Sequence, residues 1–446
     1  MAKIVIIGVN HAGTAATNTI LGNYPGNEVV CFDQNNNISY LGCGTALYVG
    51  RQIPETKNLF YSSCQVLETK GAKVHMQATV SEVDFDNKVV IATAQDGTAI
   101  REPYDKLILA TGSKAVRPKL PGVELEGVHY VKTFQDGQKI DADLDNPAVK
   151  NVATIGAGYI GVEIAEAVQL RGKTSLLFER EDACLAGYFD KPFSQGMDKV
   201  LVENGVKLHY GENLREIKSA NGARVTSIVT DKGEYAVDMV VLAMGFTPRN
   251  EIAKGRLATA SNGAFLVNTN QETSMPGVYA IGDCATVFNN ATGRPDYIAL
   301  ATNAVRSGIV AGHNVCGTAL QSAGVQGSNG IQIYNYKMFG TGLCLAKAKA
   351  AGFDAMCVDY KDTQKLGFMA GPNEEVQLRI VYDAKSRKIL GAQLASYRDV
   401  SMGLHVFSLA VAKGVTINEL PLLDIFFMPH FNQPFNYITM AGLTAK

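Results

Sequence analysis

Apolar positions in this chain come in short runs that break into small residues. Residues Lys3–Ile7 form one such run and predict a strand. It breaks at Gly8-Val9-Asn10-His11-Ala12-Gly13; residues 14–21 then predict a helix, and Glu28–Phe32 a second strand ending at Asp33. The same order returns later. Residues 150–155 predict a strand, Gly156-Ala157-Gly158-Tyr159-Ile160-Gly161 a turn, 162–171 an amphipathic helix, and 174–178 a strand that ends in Glu179. Two further apolar runs end in small-residue turns: residues 104–113, closing on Ala110-Thr111-Gly112-Ser113, and residues 273–283, closing on Gly282-Asp283. Farther on, residues 375–382 and 389–394 predict paired antiparallel strands, followed by a helix over Ser401–Lys413.

The two strand–turn–helix–strand units carry a physical message. In each, a first glycine permits a tight turn and a last glycine lets the helix pack close to the strand. The free N–H groups at the helix start then face a pyrophosphate. The second unit has the full G-x-G-x-x-G spacing, and Glu179 lies eighteen residues after Gly161. A carboxylate there grips an adenosine ribose and repels a 2′-phosphate, although Arg180 next to it could tolerate one. The first unit departs at Asn10, which stands where the middle glycine belongs; Asp33 lies twenty residues after Gly13, placed for a ribose hydroxyl.

Composition narrows the classes. The 446 residues carry a formal charge of −1, so there is no electrostatic case for nucleic acid or an anionic membrane. No stretch has the length and apolarity of a membrane span, and the first residues run into a strand rather than a signal peptide. The eight cysteines show neither a CxxC pair nor metal-ligand spacing, so no metal site is expected; the usage fits a reducing cytoplasm.

One cysteine stands apart. Cys43 lies in Tyr40-Leu41-Gly42-Cys43-Gly44, ten residues past Asp33, and a helix is expected to begin near Gly44. A helix start favours thiolate over thiol. A second cysteine five places on would make a redox disulfide, but that residue is Tyr48. The chain therefore offers chemistry on a single sulfur, between thiolate and sulfenic acid.

With these motifs the chain resembles the two-dinucleotide flavoprotein reductases over its whole length, and the single cysteine resembles the branch holding NADH oxidases, NADH peroxidases and coenzyme A disulfide reductases. Residues 8–14, 40–44 and 426–434 are similar to the water-forming oxidases of that branch. A coenzyme A disulfide reductase would usually carry Asn before its cysteine, and a peroxidase Ser; this chain has Gly42. The resemblance implies an α/β fold with two Rossmann-like dinucleotide domains and an α+β C-terminal dimerisation domain. It sets a discontinuous FAD domain at 1–118 and 246–320, an NADH domain at 119–245, and the dimerisation domain at 321–446, with Gly245-Phe246-Thr247-Pro248-Arg249 at the return crossing.

For FAD the resemblance implies Gly8, Asn10, His11, Ala12, Gly13, Asp33 and Cys43 from the first unit. Val80, Ala110, Thr111, Gly112, Ser113, Asp283, Leu300, Ala301 and Phe427 follow, with Asp283 on the ribitol. For NADH it implies Gly156, Gly158, Tyr159, Ile160, Gly161, Glu179, Tyr188, Gly245 and Gly330. Cys43 and His11 are the expected catalytic pair. His11, at a helix start, should stay neutral and hydrogen-bond a sulfenate or peroxide. Tyr159 is expected either to cover the flavin or to pack at a domain seam. His430 lacks the glutamate a thiol-exchange base would have, Phe435 standing there, so residues 426–431 are expected near the flavin of a partner subunit, in a homodimer or homotetramer. The implied reaction reduces O2 to water with two NADH through a Cys43 thiolate–sulfenic acid cycle. The alternatives are an NADH peroxidase, a coenzyme A disulfide reductase, or a flavin-bound redox sensor without turnover.

Overall fold

The computed structural model describes residues 2–253 and 255–446. Three five-stranded sheets organise them. The first is parallel throughout, in the order Val278–Ala280, Lys106–Leu109, Lys3–Ile7, Glu28–Phe32, Ala72–His75. The second is also parallel: Lys207–Tyr210, Thr174–Glu179, Asn151–Ile155, Met239–Leu242, Val128–Tyr130. In both, strand order reverses beside the glycine-turn strand, so a crevice opens at its carboxyl end. The third sheet is antiparallel, with Ile389–Ser396 paired to both Tyr336–Gly342 and Glu375–Asp383 and covered by helix Ser401–Lys413. The chain leaves the first sheet through Ser113–Ala115 and returns through Phe246–Pro248; these two short strands pair antiparallel.

The apolar runs become strands because both faces of the parallel sheets are covered. Ile4, Val5, Ile6 and, in the second sheet, Val152 and Ala153 are fully buried. Both helices start earlier than the pattern predicts. The first is His11–Asn23 with Asn10 at its N-cap, and the second is Tyr159–Leu170 with Gly158 at its N-cap. The fingerprint turn is thus shorter than its motif, and its last three residues already belong to the helix. The expected helix near Gly44 is present but short. Gly42–Gly44 is a single 3-10 turn, followed by a five-residue helix, Thr45–Val49. Cys43 sits inside the turn, two residues ahead of this short helix.

The third sheet meets the second unit across a shared apolar layer that joins Phe189, Phe193 and Met197 to Ile331, Ile333 and Met338. A buried polar clasp crosses the same seam. Asp190 accepts from Gln393 Nε2 at 2.7 Å and from Leu345 N–H at 3.1 Å, and Arg379 reaches it at 3.3 Å while holding Asp359 at 2.7 Å. No helix among the described residues is long and apolar enough to cross a membrane.

Both fingerprint turns depend on missing side chains. Gly8 and Gly156 have φ of +97° and +102°, which only glycine adopts readily. A Cβ on Gly13 would lie 1.9 Å from the Gly8 carbonyl oxygen, and one on Gly161 1.7 Å from that of Gly156. Gly13→Ala and Gly161→Ala should therefore each cost about 1–3 kcal/mol from overpacking. Thermal unfolding should show the loss, with Gly13→Ala weakening ligand binding at the first unit only and Gly161→Ala at the second only.

Candidate active site

A cavity of about 1790 Å³ runs past the carboxyl ends of both parallel sheets. That exceeds the roughly 300–1,000 Å³ of an ordinary ligand pocket. The predicted site residues line it, except Gly13, Gly161 and Phe427. The two glycines lie beneath the cavity wall as helix-packing positions. Phe427 stays on the exposed stretch that follows the turn Leu420–Leu422, as do Phe426, His430 and Phe431; within its own chain it does not reach the cavity.

The two halves of the cavity repeat one arrangement. Asp33 accepts a hydrogen bond from Val9 N–H at 2.8 Å, and Glu179 accepts one from Ala157 N–H at 2.7 Å. Each acid thus braces the turn that it must face across a ribose. Burial pushes the Asp33 carboxyl up, against the N–H donors of Asn35 and Val9. A Cβ on Gly158 would meet no protein atom, so the space beside this turn is left for a ligand. The features fit a dinucleotide in each half: a glycine turn, a helix start and a strand-end acid. Arg180 is 74% exposed and pairs with Glu181 at 3.3 Å, and it lines the cavity beside Glu179.

Cys43 is the one exposed cysteine among the described residues. Its turn is held by Thr45 Oγ1 donating to the Gly42 carbonyl at 2.7 Å and by Tyr40 OH on Thr45 at 2.5 Å. The surrounding walls push its thiol up, first by burial and then through the charge of Glu163, while Lys132 works the other way. This corrects the expected thiolate. The backbone of the turn lowers the thiol, but burial and Glu163 outweigh it. Tyr48, in the place of a second cysteine, points elsewhere; its hydroxyl donates to Asp141 at 3.1 Å.

His11 is held neutral, as expected, though burial is the leading cause. Its ring stacks on Tyr61 at 5.6 Å between centroids, and Nδ1 lies 3.0 Å from the Tyr61 hydroxyl. Asn10 sends its amide to the Tyr40 carbonyl at 3.4 Å. Asp283 accepts from Ser113 Oγ at 2.8 Å and from Lys132 at 3.1 Å. Tyr159 packs at the domain seam, as one of its two expectations has it. It lines the cavity, and its hydroxyl also donates across the seam to Asn329, with Tyr188 edge-on at 4.7 Å.

Two cavity residues near Cys43, Lys132 and Glu163, escaped the sequence reading, as did the contact of Tyr61 with His11. Lys132 had a local signal, since Thr133 and Asp136 form a capping box that starts a helix directly after it. Glu163 sits one helical turn past Tyr159 on the same helix, a spacing that puts both on one face.

Residues 2–308 match the profile of the pyridine nucleotide-disulphide oxidoreductases, and residues 332–437 match the dimerisation domain of the same group. An NADH oxidase of Streptococcus pyogenes is 53% identical over the whole of both chains, and one of Lactococcus lactis is 52% identical, again over the whole of both. A solved structure of the water-forming NADH oxidase from Lactobacillus brevis, bound to NADH, superposes with a TM-score of 0.96 at 36% identity, covering 99% of this chain and 98% of that one. The twin glycine turns, the cavity they share and these likenesses agree: the chain belongs to the pyridine nucleotide-disulphide oxidoreductase family.

Proposed function

We propose that the protein is an FAD-dependent NADH oxidase that reduces O2 to water by the reaction 2 NADH + 2 H⁺ + O2 → 2 NAD⁺ + 2 H2O. The observation that carries this reading is the pairing of one exposed sulfur, Cys43, with neutral His11 in a cavity built for two dinucleotides, where the position of a second cysteine is filled by Tyr48 turned onto Asp141. FAD, when bound along the first unit, supplies two-electron transfer from NADH and the reaction with O2. The residues suited to hold it are Gly8, Ala12, Asp33, Ser113 and Asp283; those suited to NADH are Gly156, Gly158, Tyr159 and Glu179.

The side chains divide the work. Cys43 takes one oxygen atom, becoming sulfenic acid, and gives it up as water. Lys132 is the cation whose charge favours the thiolate, offsetting part of the cost of burial and of Glu163. His11 stays uncharged, so it orients a sulfenate or peroxide by hydrogen bonding without adding a competing charge. The dimerisation unit exposes Met402, Leu409, Leu422, Phe426 and Phe435, an apolar face suited to a second copy of the chain. Phe427 would then close the partner's cavity against water.

Three outcomes follow. Purified protein in air should consume two NADH per O2 and release no hydrogen peroxide, read by an oxygen electrode with a peroxide assay; a ratio near one with peroxide would sink the water-forming claim, and negligible O2 uptake with brisk peroxide consumption would make it a peroxidase. Cys43→Ser should still consume O2 but release peroxide, so a variant that makes water with unchanged stoichiometry removes the sulfur from the cycle. Because the Glu179 carboxylate is held at the glycine turn, NADH should be preferred to NADPH, and Glu179→Gln should narrow that preference by about tenfold in kcat/KM, in line with one lost charge repulsion.

A further inference from the structure

The segment that carries Cys43 belongs to the first unit, yet the second unit holds it in place. Cys43 lies in the turn Gly42–Gly44, which runs straight into helix Thr45–Val49. Two helices of the second unit grip that helix: Phe134–Asp145 and Tyr159–Leu170. On the first, Gly137 faces Thr45 and Tyr48, and a Cβ there would come within 3.1 Å of the Thr45 methyl. On the second, Ala167 packs against Gly50, where a Cβ would come within 3.3 Å. The Phe134 ring lies against Tyr40 and Tyr48, at 5.6 and 5.8 Å between centroids. Arg171, the C-cap of helix Tyr159–Leu170, ties the three helices together with a side chain only 9% exposed. Its Nη1 donates to the Val49 carbonyl, at the end of the Cys43 helix, at 2.7 Å. The same fork reaches Asp141 at 2.7 Å and Asp145 at 2.5 Å. Asp141 also accepts from Tyr48 OH at 3.1 Å and from Arg51 at 3.2 Å.

A buried ion pair gains little stability over apolar packing of the same volume. What it adds here is geometry, because a planar guanidinium fixes several acceptors at once. At the other end of the Cys43 helix, Thr45 Oγ1 donates to the Gly42 carbonyl at 2.7 Å, so a shift at Val49 is passed to the sulfur's own turn. Helix Tyr159–Leu170 begins at the second glycine turn, so the same tie fixes Cys43 relative to the second half of the cavity. We propose that Arg171, braced by Asp141 and Asp145, is a positioning residue for Cys43 that holds the sulfur where it captures peroxide before it escapes. The inference rests on the oxidase reading and concerns its capture step alone. Writing Cys43 as RS⁻, capture is RS⁻ + H2O2 → RSO⁻ + H2O: an S–O bond forms, the O–O bond breaks, and the other oxygen leaves with both protons as water. Where capture is missed, the reaction stops at NADH + H⁺ + O2 → NAD⁺ + H2O2. A misplacement of about 1 Å costs such a step about 100-fold.

The test is the peroxide released per NADH in air by FAD-loaded enzyme. Arg171→Gln should raise it from none to most of the product and move the NADH to O2 ratio from two toward one, with KM for NADH little changed. Arg171→Lys keeps the charge but not the fork, and should leak less. Arg379→Gln and Arg379→Lys are the matched controls. The Arg379 side chain is 10% exposed and holds Asp190 and Asp359 at the other seam, so these variants should lower Tm comparably and release no peroxide. In a Cys43→Ser background, Arg171→Gln should add no further peroxide. A folded Arg171→Gln enzyme that makes only water overturns the assignment; where that variant does not fold, Arg171→Lys making only water does so. Arg379 controls that leak as much, or a defect confined to KM for NADH, overturn it as well. Peroxide from the wild-type enzyme, or water from Cys43→Ser, tells against the oxidase reading instead, which separates the two failures.

Discussion

Everything in this molecule depends on how closely a helix start approaches the end of a parallel strand. At Gly8–Gly13 and again at Gly156–Gly161 the helix lies against the carbonyl of the turn's first glycine, with no room for a methyl group. That contact aims the helix N–H groups at the crevice and sets the distance from the turn to Asp33 or Glu179. The same economy of volume recurs on the far side of the first helix. There, Gly308 of helix Ala301–Val315 lets the two helices touch, a Cβ at that position falling 2.4 Å from the Ala12 carbonyl oxygen. Close packing is what brings Ala301 and Asp283 to the same crevice as His11.

The second determinant is electrical. Burial, Glu163 and Asp283 raise the Cys43 thiol, and the backbone of its own turn and then Lys132 oppose them. A protein that needed a standing thiolate would not be arranged this way. The balance fits a sulfur whose charge changes during turnover. Local backbone is the leading cause that lowers the thiol, yet it does not offset burial and Glu163.

Much of the fold was legible because its signals are local. Apolar runs closed by glycine turns give parallel strands, and the change of pattern after residue 320 gives an antiparallel unit whose strands and helix lie where the pattern put them. Helix starts were less legible, since the turn residues His11 to Gly13 and Tyr159 to Gly161 do two jobs and only one shows in the motif. At the site, Gly8, Asp33, Gly156 and Glu179 could be found from spacing alone. Val80, Leu300, Ala301 and Gly330 came only through resemblance, because they reach the cavity from separate segments without a local signature. Lys132 and Glu163 were missed as site residues, because a helix cap and an amphipathic helix mark elements and not which side chains meet in the cavity.

By itself, the sequence determined two dinucleotide turns, a strand-end acid for each, and one cysteine without a partner. These follow from backbone geometry and residue spacing, which act over a few residues. Tertiary structure alone decided the state of the sulfur. Lys132, Glu163 and Asp283 come from three distant parts of the chain, and charge acts through space rather than along the backbone. It also turned Arg180 toward Glu181, drew Tyr48 to Asp141, and left Phe427 outside its own cavity. Each of those outcomes depends on which surfaces pack together, and spacing carries no record of that.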